Sequence, residues 1–115
     1  MNKEVLLGIT ILNAGGRTTV PPKVREALDL ESTPDRKEKI LWTQVRDNIV
    51  VTKGTPESSF KKTLLSASGM AAIPKHARKF LKLKSTLHKE DSVLWLQKGD
   101  EIIVRKATIQ SIPTD

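Results

Sequence analysis

Shifted by about 53 residues, this chain aligns with itself: Thr10–Thr55 lies over Thr63–Thr108 without a gap. The identical pairs include Leu12/Leu65, Gly16/Gly69, Pro21/Pro74, Arg25/Arg78, Leu28/Leu81, Leu30/Leu83, Trp42/Trp95, Asp47/Asp100, Ile49/Ile102, Val51/Val104 and Lys53/Lys106. About eighteen of about 46 aligned positions match, with conservative pairs such as Val20/Ile73 besides. Chance does not put both tryptophans of a 115-residue chain in register with so many other residues. The chain is a tandem duplication. A unit of about 45 residues is too small to bury an adequate core alone, so each copy has to be completed by the other. The division expected is a first repeat over 1–54, a second over 55–107 and a polar tail over 108–115.

Each copy has the same order of signals. An aliphatic and Thr-rich strand is expected over Val5–Leu12, matched by Lys62–Ser66. Turns follow at Ala14-Gly15-Gly16 and Ala67-Ser68-Gly69. Short extended pieces, Thr18–Val20 and Ala71–Ile73, run into Pro21 and Pro74, since the residue before proline is pushed to extended geometry. Helices of about two turns are expected over Pro22–Leu28 and Lys75–Leu81, with Leu30 and Leu83 closing them against the core. Polar connectors, Glu31–Glu38 and Lys84–Glu90, lead into hairpins: Lys39–Val45 with Asn48–Lys53, and Ser92–Gln97 with Glu101–Lys106. Gly54–Ser59 reads as a linker. The fold class expected is mainly β: two ββαββ repeats with two short helices, forming a pseudo-dimer in which each copy supplies half of a closed β-barrel.

Charge narrows the partner. Lys and Arg outnumber Asp and Glu by 20 to 13, a formal +7, and nucleic acid is the commonest cellular polyanion. The surplus is uneven: the first 54 residues carry +2 and the remainder +5. At matched positions Glu26, Asp29 and Glu31 give way to Lys79, Lys82 and Lys84, which points to an asymmetric phosphate-binding surface. No Cys is present, so disulfides and thiolate metal sites are excluded. His76 and His88 are too few for a metal site, and no base or oxyanion partner accompanies the serines. Neither a cofactor nor an enzymatic activity is expected. No apolar run approaches the roughly 20 residues of a membrane helix, so the expected location is the cytoplasm, with the nucleoid as the DNA-bound site.

The segment Gly16-Arg17-Thr18-Thr19-Val20-Pro21-Pro22-Lys23-Val24-Arg25-Glu26-Ala27-Leu28-Asp29-Leu30 resembles the Gly-Arg-(three extended residues)-Pro-x-x-x-Arg-x-x-Leu-x-Leu/Ile pattern of the AbrB/SpoVT (MazE-like) DNA-binding family, in its archaeal form. Gly69–Leu83 resembles it less closely, because Met70 stands where Arg17 does. Thr10 and Thr63 also stand where some relatives carry a basic residue. The resemblance implies a swapped-hairpin barrel and a transcription regulator that contacts double-stranded DNA at the glycine turn and short helix. Arg17 matches the arginine after the glycine, and Arg25 and Arg78 match the helix arginine.

The DNA-binding residues expected are therefore Arg17, Lys23, Arg25, Lys75, His76, Arg78, Lys79 and Lys82. Arginine can fork onto a guanine edge or a phosphate, whereas the lysines act as point charges that position the protein. Arg25 and Arg78 have an alternative role, an internal ion pair with Asp47 or Asp100. Lys61 and Lys62 either extend the basic surface or keep the linker soluble. Trp42 and Trp95 sit mid-strand among aliphatic residues and are expected to pack in the core rather than stack on bases. Three other functions fit the same features: an architectural chromatin protein, a protein-interaction adaptor barrel, and the antitoxin of a toxin–antitoxin pair. An antitoxin is the least expected, because only about nine residues follow the last strand, too few to wrap a toxin. Self-association as a homodimer is compatible with the pattern.

Overall fold

Prolines and glycines punctuate each copy into the same pieces in the computed structural model, which describes residues 3–54 and 62–107. The first copy supplies β1 (Glu4–Ile11), β2 (Arg17–Thr19), α1 (Pro22–Ala27), β3 (Lys39–Val45) and β4 (Asn48–Lys53). The second supplies β5 (Lys62–Leu64), β6 (Met70–Ala72), α2 (Lys75–Phe80), β7 (Ser92–Lys98) and β8 (Glu101–Ala107). Lys61, most of the expected linker and the expected polar tail lie outside the described residues.

The copies exchange their first strands. β1 pairs antiparallel with β7 of the second copy, and β5 pairs antiparallel with β3 of the first. The two hairpins meet where β4 pairs with β8, giving one six-stranded sheet in the order β1-β7-β8-β4-β3-β5. β2 and β6 form a separate two-stranded ribbon, Arg17 opposite Ala72 and Thr19 opposite Met70. Mutual completion holds, since neither copy has all its strand partners within itself.

The closed hydrogen-bonded barrel does not. The sheet is open, with β1 and β5 at its edges, and no ladder among the described residues joins it to the ribbon. The reason is local: each ribbon strand has only three residues, squeezed between a glycine turn and a proline that lacks an N–H. Side chains cover that side instead. Val20, Val24, Ala71, Ile73 and Ala77 from the ribbon and helices pack on Ile40, Trp42, Ile49, Val51, Val93, Trp95, Ile102 and Val104 of the sheet. Leu12, Leu65, Leu30 and Leu83 complete this core.

Trp42 and Trp95 stand at its centre, ring centroids 5.9 Å apart and tilted by 60°. Each indole reaches across the duplication: Trp42 Nε1 donates to Thr63 Oγ1 at 2.9 Å, and Trp95 Nε1 to Thr10 Oγ1 at 2.8 Å. The two threonines are acceptors that let a buried N–H be satisfied.

Both helices end alike. Asp29 and Lys82 take positive φ (54° and 57°), and the N–H of the next leucine returns to the carbonyl of Arg25 or Arg78. Lys53 Nζ donates to the Asp29 carbonyl and sits 3.3 Å from Glu38 Oε2; Lys106 Nζ likewise meets the Lys82 carbonyl and lies 3.8 Å from Asp91 Oδ2. The polar connector is thus a repeated clamp between helix end and hairpin.

Candidate nucleic-acid interface

Helix arginine and glycine turn come together across the duplication. Arg25 Nε donates to the Val20 carbonyl at 3.1 Å, and Arg78 Nε to the Ile73 carbonyl at 2.9 Å. These bonds aim each guanidinium over the turn of the opposite copy. A Cβ at Gly69 would lie 3.2 Å from Arg25 Cζ, and one at Gly16 3.0 Å from Arg78 Nη1. Both glycines also have positive φ, 90° at Gly69 and 81° at Gly16, so the turn itself favours glycine, and the guanidiniums pack close against it. Main-chain bonds lock the arrangement: Val20 N–H to the Gly69 carbonyl at 2.8 Å, Ile73 N–H to the Gly16 carbonyl at 2.9 Å.

The internal ion pairs with Asp47 or Asp100 do not form among the described residues. The short reach of Nε to a carbonyl five residues back in sequence holds each arginine on the ribbon instead. The η nitrogens of both arginines have no protein acceptor among the described residues, and both arginines are half-buried.

Arg17 follows Gly16 directly and opens β2 with its side chain exposed. Lys37, Leu64 and Ser66 line a shallow depression beside it. Lys37 belongs to the connector, where the matched residue is Glu90, so charge at this place differs between the copies. Nothing in the motif singled out Lys37. Met70 occupies the place of Arg17 in the second copy and is half-buried.

Lys23, Lys75, Lys79 and Lys82 are all exposed, the first three on the helices and Lys82 just past the end of α2. His76 is drawn inward: its Nε2 lies 3.1 Å from the Trp42 carbonyl, which can only accept, so that nitrogen carries the proton and ties α2 to β3. It is unlike the lysines grouped with it. Lys62 is exposed on the edge strand β5.

Electrostatics separate the candidates from the structural cations. Arg105 grips Glu4 with two bonds, Nη1 to Oε1 at 2.9 Å and Nη2 to Oε2 at 2.6 Å, and this holds the Glu4 carboxyl below its ordinary pKa. Burial pushes the Glu38 carboxyl up, but the Glu31 N–H and the Lys53 ammonium outweigh it and leave the pKa lowered. The ion pairs among the described residues use Lys53, Arg105 and Lys106. None uses Arg17, Lys23, Arg25, Lys75, Arg78, Lys79 or Lys82. The described residues hold no group of three or more His, Cys, Asp or Glu able to bind a metal, and no helix among them is long and apolar enough to cross a membrane.

No protein-family model, curated protein or solved structure matches this chain.

Proposed function

We propose that this protein binds double-stranded DNA as a transcription regulator, with a fold related to the swapped-hairpin barrels of the AbrB/SpoVT kind. The observation that carries the reading is the crossed pair Arg25–Gly69 and Arg78–Gly16, with Arg17 beside it. Two guanidiniums are fixed through Nε while their terminal donors stay available, an arrangement suited to accepting phosphate oxygens or a guanine edge. The exchanged first strands support the relation to swapped-hairpin folds, with the ribbon covering the open side in place of a closed ladder. Arg17, Lys23, Arg25, Lys75, Arg78, Lys79 and Lys82 form the contact set; His76 belongs chiefly to the packing of α2.

The unequal copies suit a non-palindromic site. Arg17 has Met70 at its matched position in the second copy, and α1 carries Glu26 where α2 carries Lys79. The test is fluorescence anisotropy of labelled genomic duplexes at a series of salt concentrations, with unlabelled random duplex as competitor. Neutralising Z phosphates gives a slope of log K against log salt of about −0.9Z, and a slope of about −3 or steeper is expected. Absence of binding at low salt overturns the proposal. Equal competition by random duplex would instead identify an architectural protein.

A further inference from the structure

The connector that follows each helix repeats in shape but not in charge. In the first copy Thr33 and Arg36 close a turn with reciprocal main-chain bonds, Thr33 N–H to the Arg36 carbonyl at 2.8 Å and Arg36 N–H to the Thr33 carbonyl at 3.2 Å. In the second, Thr86 N–H donates to the Lys89 carbonyl at 2.8 Å in the matched place. Each connector then ends on a carboxylate beside the hairpin lysine, Glu38 with Lys53 and Asp91 with Lys106. One frame serves both copies, and the side chains it presents are free to differ. They do. Arg17, Arg36, Lys37, Lys39 and Lys53 of the first copy match Met70, Lys89, Glu90, Ser92 and Lys106 of the second. With Glu38 and Asp91 included, the first set holds five cations against one carboxylate, and the second two cations against two.

These cations are contiguous. Arg36, Lys37, Lys39 and Lys53 line one depression with Glu38 and Gly54, where Gly54 N–H donates to the Lys39 carbonyl at 2.7 Å. Lys37 also lines the next depression, with Arg17, Leu64 and Ser66. The one carboxylate is already engaged: Glu38 takes the Lys53 ammonium and accepts from the Glu31 N–H at 3.3 Å. Among the described residues Arg17, Arg36, Lys37 and Lys39 enter no ion pair. Like charges gathered in this way repel one another, and the second copy builds the same frame without them. A polyanion laid along the track relieves that repulsion.

We propose that the track is a phosphate-backbone site present in the first copy alone, carrying the duplex outward from Arg17, past Lys37, to the open end of the β3–β4 hairpin. The inference rests on the DNA reading and gives it a direction. The second copy offers no matching track, so the duplex is held further on one side than on the other. Arginine and lysine here position the backbone and read no bases.

The test is the salt dependence of binding to a labelled random-sequence duplex, measured by fluorescence anisotropy on the full chain. Arg36→Gln/Lys37→Gln removes two exposed charges from the track and should make the slope of log K against log salt shallower by about 1.8. Arg36→Lys/Lys37→Arg keeps both charges and should keep the wild-type slope. Lys89→Gln/Lys98→Gln removes the same charge from exposed positions of the second copy and should leave the slope nearly unchanged. Equal losses from the two glutamine pairs overturn the inference, since they reveal diffuse attraction, and leave the DNA reading standing. So does a slope that Arg36→Gln/Lys37→Gln does not move. Wild type that ignores the duplex at low salt overturns both.

Discussion

The indole N–H of Trp95 donates to the hydroxyl of Thr10 at 2.8 Å, joining two residues 85 positions apart and in opposite copies. The Thr18 hydroxyl lies 2.7 Å from the same Thr10 oxygen and 3.0 Å from the Ile11 carbonyl, so one threonine serves a strand, a ribbon and a tryptophan. At Thr63, among the described residues, only Trp42 is served, because Ala71 takes the place of Thr18. Thr10→Val should therefore destabilise the protein by about 1–3 kcal/mol, the range for stranding a buried donor, and by more than Thr63→Val. Urea denaturation of the two variants checks both the size and the order. Equal costs would mean that Thr18 adds nothing.

Arg46 and Gly99 are the first loop residues of the two matched hairpins, and both have positive φ, 57° and 62°. Glycine adopts this region freely and arginine does not. Arg46→Gly is expected to stabilise the fold by roughly 0.5–1 kcal/mol, offset in part by the greater freedom glycine gives the unfolded chain. Thermal unfolding is the measurement. A lower Tm would show that the arginine makes a compensating contact.

Much of this fold is legible in the duplication. The hairpin Lys39–Val45/Asn48–Lys53 has the bounds its aliphatic runs and Arg46-Asp47 turn imply, and both helices stop within a residue of expectation because Pro21, Pro74 and the closing leucines frame them. Strand partnership is another matter. Periodicity says which side of β1 is apolar but not that its neighbour is β7, since both hairpins offer similar edges. The candidate site divides in the same way. Arg25 and Arg78 stood out by recurring, yet their placement over the opposite glycine depends on the exchange, and His76 looked like one more cation until Trp42 supplied a carbonyl. Thr10 and Thr63 had a readable signal: they recur in step with the tryptophans that they serve.

Acid should loosen the clamp at the end of α1. The Glu38 carboxyl has a folded pKa below its ordinary value of 4.5, so its ion pair with Lys53 contributes stability that is fully present above that value. The contribution is lost as pH falls through the folded pKa, when the carboxyl takes up a proton. Glu4, lowered by its bonds to Arg105, adds loss in the same direction. Glu38→Gln is expected to lower Tm near neutral pH and to flatten its fall below about pH 5. Melting curves across the acid range, for wild type and variant, measure this; parallel curves would place the acid sensitivity elsewhere.

The ribbon offers the sharpest trial of the proposed DNA contact. Thr18 and Ala71 point into the core, so Arg17, Thr19, Met70 and Ala72 share its outward side. Arginine at position 70 would then project as Arg17 does. Met70→Arg should add about one phosphate contact and steepen the salt slope by about 0.9, with the largest gain on palindromic duplexes. Arg17→Ala should do the opposite, and the form of its loss identifies the contact. A loss of about 1–3 kcal/mol confined to the preferred sequence means a base edge. An equal loss on preferred and random duplex, with the slope shallower by about 0.9, means phosphate. If neither substitution moves affinity or slope, the ribbon does not meet DNA, and Arg17 leaves the proposed contact set.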